Sequence, residues 1–456
     1  PFSMIIPEAV AQAAPNTSAM VSNSSAVSKI KAINATAVSA EQADITEDSD
    51  AGSNDSSDAS NPNDVMSTSD TSGTDTATDD PTIAESGTIG TVAWQIDSDG
   101  LLTISGGSFA GLTGKRTPWY DYRLDIKSIK ITGPITVTTD SNYGYLFASL
   151  TNLTTITGLS NLSMNGVTST RGMFYNDGRL EAVDFGQTDF SKVTTMASMF
   201  EWCSKLTKVN TTNWNVSQVK NYTQMFYQCT ELTALDVSGW NTSQATTLEN
   251  AFQGCSSLAK LDVSKWDTSN MTNLTSTFSG CSALAILDVS NWNTSRVTSL
   301  GATFMDCSAL TILNVTNWNT SNVTNMFRLF WGCKNVTQLD VSNWKTSKVT
   351  SLGSTFYGCS KVPVLAVGNW DTSNVTSMES LFSGCMALTA LDLSNWKTSS
   401  VISLSSTFFN CSGLTTLLVD GWNTSNVTKL DYVFAGCASL ATLNLSSWDT
   451  RQAVTY

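Results

Sequence analysis

Cysteine falls at positions 203, 229, 255, 281, 307, 333, 359, 385, 411 and 437, a step of 26 residues that never varies. Ten tryptophans from Trp214 to Trp448 keep that step, and so do eleven phenylalanines from Phe174 to Phe434. An unbroken period of this size is the signature of a solenoid. One coil cannot bury its own apolar side chains. Stacking buries them against the coils above and below, and stability becomes a sum over nearest neighbours. Parallel strands repeat every ~4.8 Å, so about twelve coils predict a rod or arc roughly 55 Å long.

The coil around Phe252–Phe278 shows the pattern. Leu258, Leu261 and Val263 form L-x-x-L-x-V, and Leu261 and Val263 alternate with Asp262 as on a strand with one buried face. Trp266 follows, and then the polar turn Asp267-Thr268-Ser269, whose side chains can bond nearby backbone. Met271, Leu274 and Phe278 stand at the steps of three and four that mark one face of a helix, with Gly280 placed to end it. A helix of about ten residues is marginal alone, so a 3₁₀ or irregular segment is the competing expectation.

The net charge of −14 is unevenly placed. Residues 1–85 hold fourteen acidic and two basic residues, and the remainder is close to neutral. No basic patch exists, which argues against nucleic acid. Histidine is absent, removing the commonest general base and metal ligand. The regular cysteines favour a column of small buried thiols over bridges between adjacent coils. A metal site needs ligands clustered at short spacing, which the cysteines lack.

Along the chain, residues 1–13 read as the tail of a secretory signal, with Ala11-Gln12-Ala13 fitting a cleavage site. Residues 14–85 are rich in Ser, Thr, Asp and Asn, a composition expected to be a disordered linker. Residues 86–145 read as a small β cap for the stack: Val92–Ile96 and Leu101–Ile104 flank the hairpin signal Asp97-Ser98-Asp99-Gly100. A separate binding module is the alternative. Coils run from 146 to 456, the first two irregular, and the missing terminal cap suggests a truncated C-terminus carrying a wall or membrane attachment. No run is long enough to span a membrane.

Leu258-x-x-Leu261-x-Val263-x-x-Trp266 resembles the leucine-rich repeat core, with tryptophan where Asn or Cys is usual. Phe252-x-Gly254-Cys255-Ser256-Ser257-Leu258 is similar to the F-x-x-C-x-x-L step of BspA-like bacterial repeats. Asn343–Thr350 looks like the 26-residue version found on surface proteins of lactic acid bacteria and other Gram-positive or wall-less bacteria. The resemblance covers roughly residues 146–456, and residues 88–132 look like the segment that often precedes such repeats. It implies a leucine-rich-repeat-like solenoid with a parallel β-sheet on one face and short helical or irregular segments on the other. It also implies exposure on the cell surface and adhesion to host or neighbouring cells. No catalytic residues carry over.

The outward strand position holds Asp236, Asp262, Asp288, Asp340 and Asp392, with Asn314 and Asn444 between and after them. Such a row could bind a cationic partner, calcium or sugar hydroxyls, or simply keep an exposed sheet soluble. Like charges one rung apart repel, so a neighbour, an ion or altered protonation is expected to relieve some. Beside the row, Ile286, Ile312 and Val364 would make an apolar patch. Trp202 and Trp331 leave the tryptophan column and could stack on sugar rings or pack at a turn. The recurrent Asn-x-Ser/Thr at Asn241, Asn293 and Asn423 reads as turn chemistry. The chain is therefore expected to be a non-enzymatic secreted adhesin on a bacterial surface, meeting a host or bacterial protein or glycan through its strand face. A stalk displaying a further domain and a polysaccharide-acting enzyme on a β-helix are the alternatives. The unbroken step shows no local cluster that an enzyme would need.

Overall fold

The computed structural model describes residues 83–112, 116–138 and 142–455. The expected signal remnant at 1–13, and the expected linker as far as residue 82, lie outside them. The described chain is a right-through stack of about twelve coils, each the length of one repeat. Leu258, Leu261, Val263, Trp266, Met271, Leu274, Phe278 and Cys281 are all buried, and the equivalent side chains of the neighbouring coils join them in one continuous core.

Two aromatic columns run through that core. Trp240, Trp266 and Trp292 stack with ring centroids 6.2 and 6.3 Å apart and planes within 7° of parallel. Phe252, Phe278 and Phe304 do the same at 5.8 and 6.0 Å. Most of these tryptophans also lean on a phenylalanine, as Trp292 does on Phe278 at 5.9 Å, while Trp240 leans on Tyr222. The indole nitrogen is satisfied between coils: Trp266 Nε1 donates to the Val237 carbonyl at 3.1 Å and Trp292 Nε1 to Val263 at 3.2 Å.

The strands are shorter than the pattern suggests. β1 to β7 build the N-terminal unit and first coil: Ile83–Ile89, Val92–Asp97, Leu101–Ile104, Gly107–Phe109, Ser128–Ile131, Ile135–Val137 and Thr155–Thr157. β1, β2 and β3 pair antiparallel, and β3, β5 and β7 pair parallel in one sheet. That sheet runs from the hairpin unit into the first coil. Asp97 Oδ1 closes the hairpin by accepting from the Asp99 and Leu101 amides, and Gly100 takes φ +84° there. Trp119 is buried, stacks on Phe147 at 6.3 Å, and so extends the phenylalanine column into this unit. Further along, the strand face is only β8 (Ala182–Asp184), β9 (Lys208–Asn210), β10 (Ala234–Leu235), β11 (Lys260–Leu261), β12 (Ala390–Asp392) and β13 (Thr416–Leu418), with single bridges such as Ile286 to Ile312 elsewhere. A second line of parallel bridges joins every coil from Asn142 to Thr455 through Asn273 and Ser299.

At Met271–Phe278 the structure takes the irregular alternative and not the helix. Those residues face inward as the spacing implied, but they form consecutive turns. Their amides alternate between two kinds of acceptor. Thr277 and Ser279 donate within the coil, to Leu274 and Ser276, whereas Ser276, Phe278 and Gly280 donate to Gly301, Thr303 and Met305 of the next coil. An α-helix would use all these groups internally and leave nothing to join coils. Left-handed residues at Ser276 (φ 51°) and Gly280 (φ 73°) break any helical path. Among the described residues the helical turns are two short 3₁₀ segments, Tyr120–Tyr122 and Leu159–Asn161. Thr268, in the polar turn expected to bond backbone, does so across coils. It is buried, and its hydroxyl donates to the Asn293 carbonyl of the next coil at 3.2 Å.

Replacing Trp266 by Ala removes two stacking partners and an inter-coil hydrogen bond, and should cost about 3–5 kcal/mol. Urea unfolding should register the loss, and hydrogen exchange should localise it to the coils of Trp240 and Trp292. Gly280→Ala has room, since the new Cβ would sit 3.4 Å from Gly254. Its left-handed backbone should still cost about 1–2 kcal/mol, readable as a lower urea midpoint with unchanged slope.

Candidate binding surface

The strand face is set by alternation. Leu261 and Val263 turn inward, so Lys260 and Asp262 turn out. Asp236, Asp262, Asp288, Asp340 and Asp392 are all exposed, one to a coil, and each does the same thing. Asp262 Oδ1 accepts from the Ser264 amide at 3.0 Å and from the Ser264 hydroxyl at 2.7 Å. Asp236, Asp288, Asp340 and Asp392 repeat this with Ser238, Ser290, Ser342 and Ser394. The hydroxyl and amide of Ser264 hold the Asp262 carboxyl below the usual carboxylate range, and Ser342 does so for Asp340. At Asp262 and Asp340 these local hydrogen bonds favour the charged form.

This arrangement bears on the expected calcium contact. Among the described residues no three acidic, cysteine or histidine side chains converge so as to hold a metal ion. Each carboxylate spends one oxygen on its own turn, and only one stands on each coil. Asn241, Asn293 and Asn423 act in their turns as their sequence context suggests, each accepting from the amide two residues on.

Next to the row the face turns apolar. Ile286 is 79% exposed and Ile312 is 65% exposed, and the two are paired across adjacent coils. Val364, two coils further, is equally bare. Ile286 lies beside Asp288, and Ile312 beside Asn314, on the same side of their strands. The structure thus brings Ile286 and Ile312 together and keeps the acidic residues in single file beside them.

The turn side carries a cluster that was only partly visible beforehand. Trp331 stacks on Tyr357 with centroids 5.3 Å apart. The Arg328 guanidinium lies 4.8 Å from the Phe327 ring centre and 5.9 Å from that of Trp331. Trp331 had stood out by leaving its column. Phe327 and Arg328 would have stood out if every coil had been compared in register, whereas Tyr357 shares its position with Tyr175, Tyr227 and Phe409. Trp202, also singled out, is 43% exposed and meets Tyr227 edge-on at 5.3 Å.

A repeat family described as "Mycoplasma protein of unknown function, DUF285" matches residues 142–261, 246–364 and 350–456. The chain belongs to this family. No curated protein matches it. Among solved structures it is similar to a leucine-rich repeat protein from Eubacterium ventriosum, at 17% identity and TM-score 0.35, over 80% of this chain and 90% of that one. It is similar also to a leucine rich cell surface protein from Faecalibacterium prausnitzii, at 16% identity and TM-score 0.36, over 80% and 96%. A leucine-rich repeat protein from Bacteroides ovatus gives 17% identity and TM-score 0.34, over 79% and 82%. No helix among the described residues is long and apolar enough to cross a membrane.

The thiols of this DUF285 chain are structural. Cys255 Sγ donates to the Phe226 carbonyl of the preceding coil at 3.1 Å, and Cys281 Sγ to Phe252 at 3.2 Å. Burial pushes the Cys255 and Cys385 thiols up to about 12, far from the thiolate that reactivity needs. Asp177 heads this column, at the place one repeat before Cys203. It is fully buried; Oδ1 accepts from the Leu150 amide at 2.7 Å and Oδ2 has no partner. Burial raises its carboxyl well above the usual range. The folded chain therefore keeps a proton that the unfolded chain releases near pH 4. Stability carried by this proton falls as pH rises from there towards the folded value. Asp177→Asn keeps the acceptor for Leu150 and removes the titration. The variant should be more stable than the parent at pH 7 and gain nothing at pH 3.5, as urea midpoints at the two pH values will show.

Proposed function

We propose that the protein is a non-enzymatic binding scaffold on the outside of a bacterial cell, an adhesin that meets a host glycoprotein, a matrix protein or a neighbouring cell through its strand face. The observation that supports this is the bare pair Ile286 and Ile312. Most other outward positions of that face carry polar or charged groups, and those of the Asp row are tied into their own turns. Leaving two large aliphatic side chains in water costs solubility, and an uncovered apolar centre rimmed by polar groups is the anatomy of a protein contact. The coils on either side hold the pair on a rigid stack, so a partner would be bound without ordering the surface first. Secretion follows on this reading from the signal-like residues 1–13.

The test is binding of the full chain to immobilised mucin, matrix proteins and bacterial cells, followed by variants. Ile286→Ser with Ile312→Ser should weaken capture at least about tenfold, ~1.4 kcal/mol. Asp262→Asn with Asp288→Asn should change the salt dependence more than the affinity. Capture unchanged by the isoleucine pair would remove the strand face from the reading.

A further inference from the structure

The repeat supplies its own controls. The position of Trp331 is held by Ser279 and Ser383 in other coils, that of Phe327 by Thr275, Gly301 and Gly353, and that of Arg328 by Ser276, Ala302 and Ser354. Those coils stack equally well, so packing asks for none of the large side chains gathered here. Their neighbours also make way for them. A Cβ on Gly353 would stand 3.2 Å from the Phe327 ring, which lies against that bare backbone. Phe327 is 40% exposed and Tyr357 37% exposed, with Trp331 half-buried between the phenylalanine and the tyrosine positions.

The arginine is the second departure. Arg328 forms no ion pair among the described residues, and its Nε is shielded from water without a hydrogen-bond partner. A comparable group near the N-terminal end differs on this point: Arg171 Nε donates to the Tyr145 hydroxyl. The half-buried Asp306 feels both Arg328 and Lys334 without pairing with either. A guanidinium held flat by two rings presents a fork that matches a carboxylate. The rings themselves offer apolar surface to the C–H faces of a sugar. Trp331 and Tyr357 lie on adjacent rungs, 5.3 Å apart between ring centres, a platform for about one pyranose ring.

We propose that Phe327, Arg328, Trp331 and Tyr357 form a binding site on the turn side for an acidic sugar, a uronate or sialate whose carboxylate meets Arg328 and whose ring packs on Trp331 and Tyr357. Asp306 is placed to accept from a sugar hydroxyl. The site is separate from the strand face and does not depend on what that face binds.

Saturation-transfer NMR on the full chain tests it, with sialyllactose and a glucuronate-containing disaccharide against lactose as the neutral reference. The intact protein should transfer magnetisation to at least one acidic sugar, with lactose at least about tenfold weaker. Trp331→Ser and Tyr357→Ser use residues that the same column already tolerates, and each should abolish the signal. Arg328→Ser should erase the preference over lactose. Asp262→Asn on the strand face should leave everything unchanged. No transfer to either acidic sugar, equal transfer to lactose, or full transfer in the Trp331 variant would overturn the assignment. So would binding of an acidic peptide with neither sugar acid bound. Should a serine variant lose its circular dichroism spectrum, Phe327→Ser, at an exposed position, takes its place with the same expectation.

Discussion

The stack of indole rings is the constraint from which the rest follows. Ten tryptophans one repeat apart can all be buried only if each lies on the next. The ring separations, 6.2 Å for Trp240 on Trp266 and 6.3 Å for Trp292 on Trp318, then fix how far coils are shifted and turned against one another. Large aromatic side chains bury more surface than any others, and parallel offset rings add to that burial. From Trp266 to Trp422 each column indole N–H finds a carbonyl in the coil before it, so the column is tied in the polar sense too. The bonds are absent at the ends: Trp214 and Trp240 near one end and Trp448 at the other have no partner for Nε1.

Backbone hydrogen bonding obeys the same geometry. A coil of 26 residues must send many of its amides and carbonyls to its neighbours, because it has too little regular structure to satisfy them alone. Short strands, a line of single bridges and a ladder of turns share this task on different sides of the coil. Side-chain hydroxyls contribute a further layer. Buried threonines such as Thr268 and Thr294 reach the following coil, and exposed ones such as Thr272 and Thr298 reach the preceding one. The abundance of Thr and Ser in this chain is thus part of the stacking mechanism and not merely a polar coat.

Function in such an array sits where the repeat is broken. The acidic row is rule rather than exception: each Asp binds the serine two residues on and completes a turn. Ile286 and Ile312 on one side, and Phe327 with Arg328 on another, are exceptions that the core does not require. Both groups lie in the middle of the stack, far from the frayed ends, where the backbone beneath them is held by coils above and below.

The sequence by itself determined the solenoid, its period, its inward residues and the thiol column, because burial follows from spacing and spacing is written in the chain. It also marked the outward residues Asp262 and Ile286 correctly, since alternation on a strand needs no more than parity. The tertiary structure alone decided the state of Met271–Phe278, because steps of three and four fit a helix and a run of turns alike. The choice was made by the next coil, whose carbonyls take the amides a helix would have kept. It alone decided, too, that Thr268 is buried and that Arg328 lies between two rings without an ion pair among the described residues. Those facts depend on which side chains meet across rungs 26 residues apart, and one coil read in isolation holds no record of them.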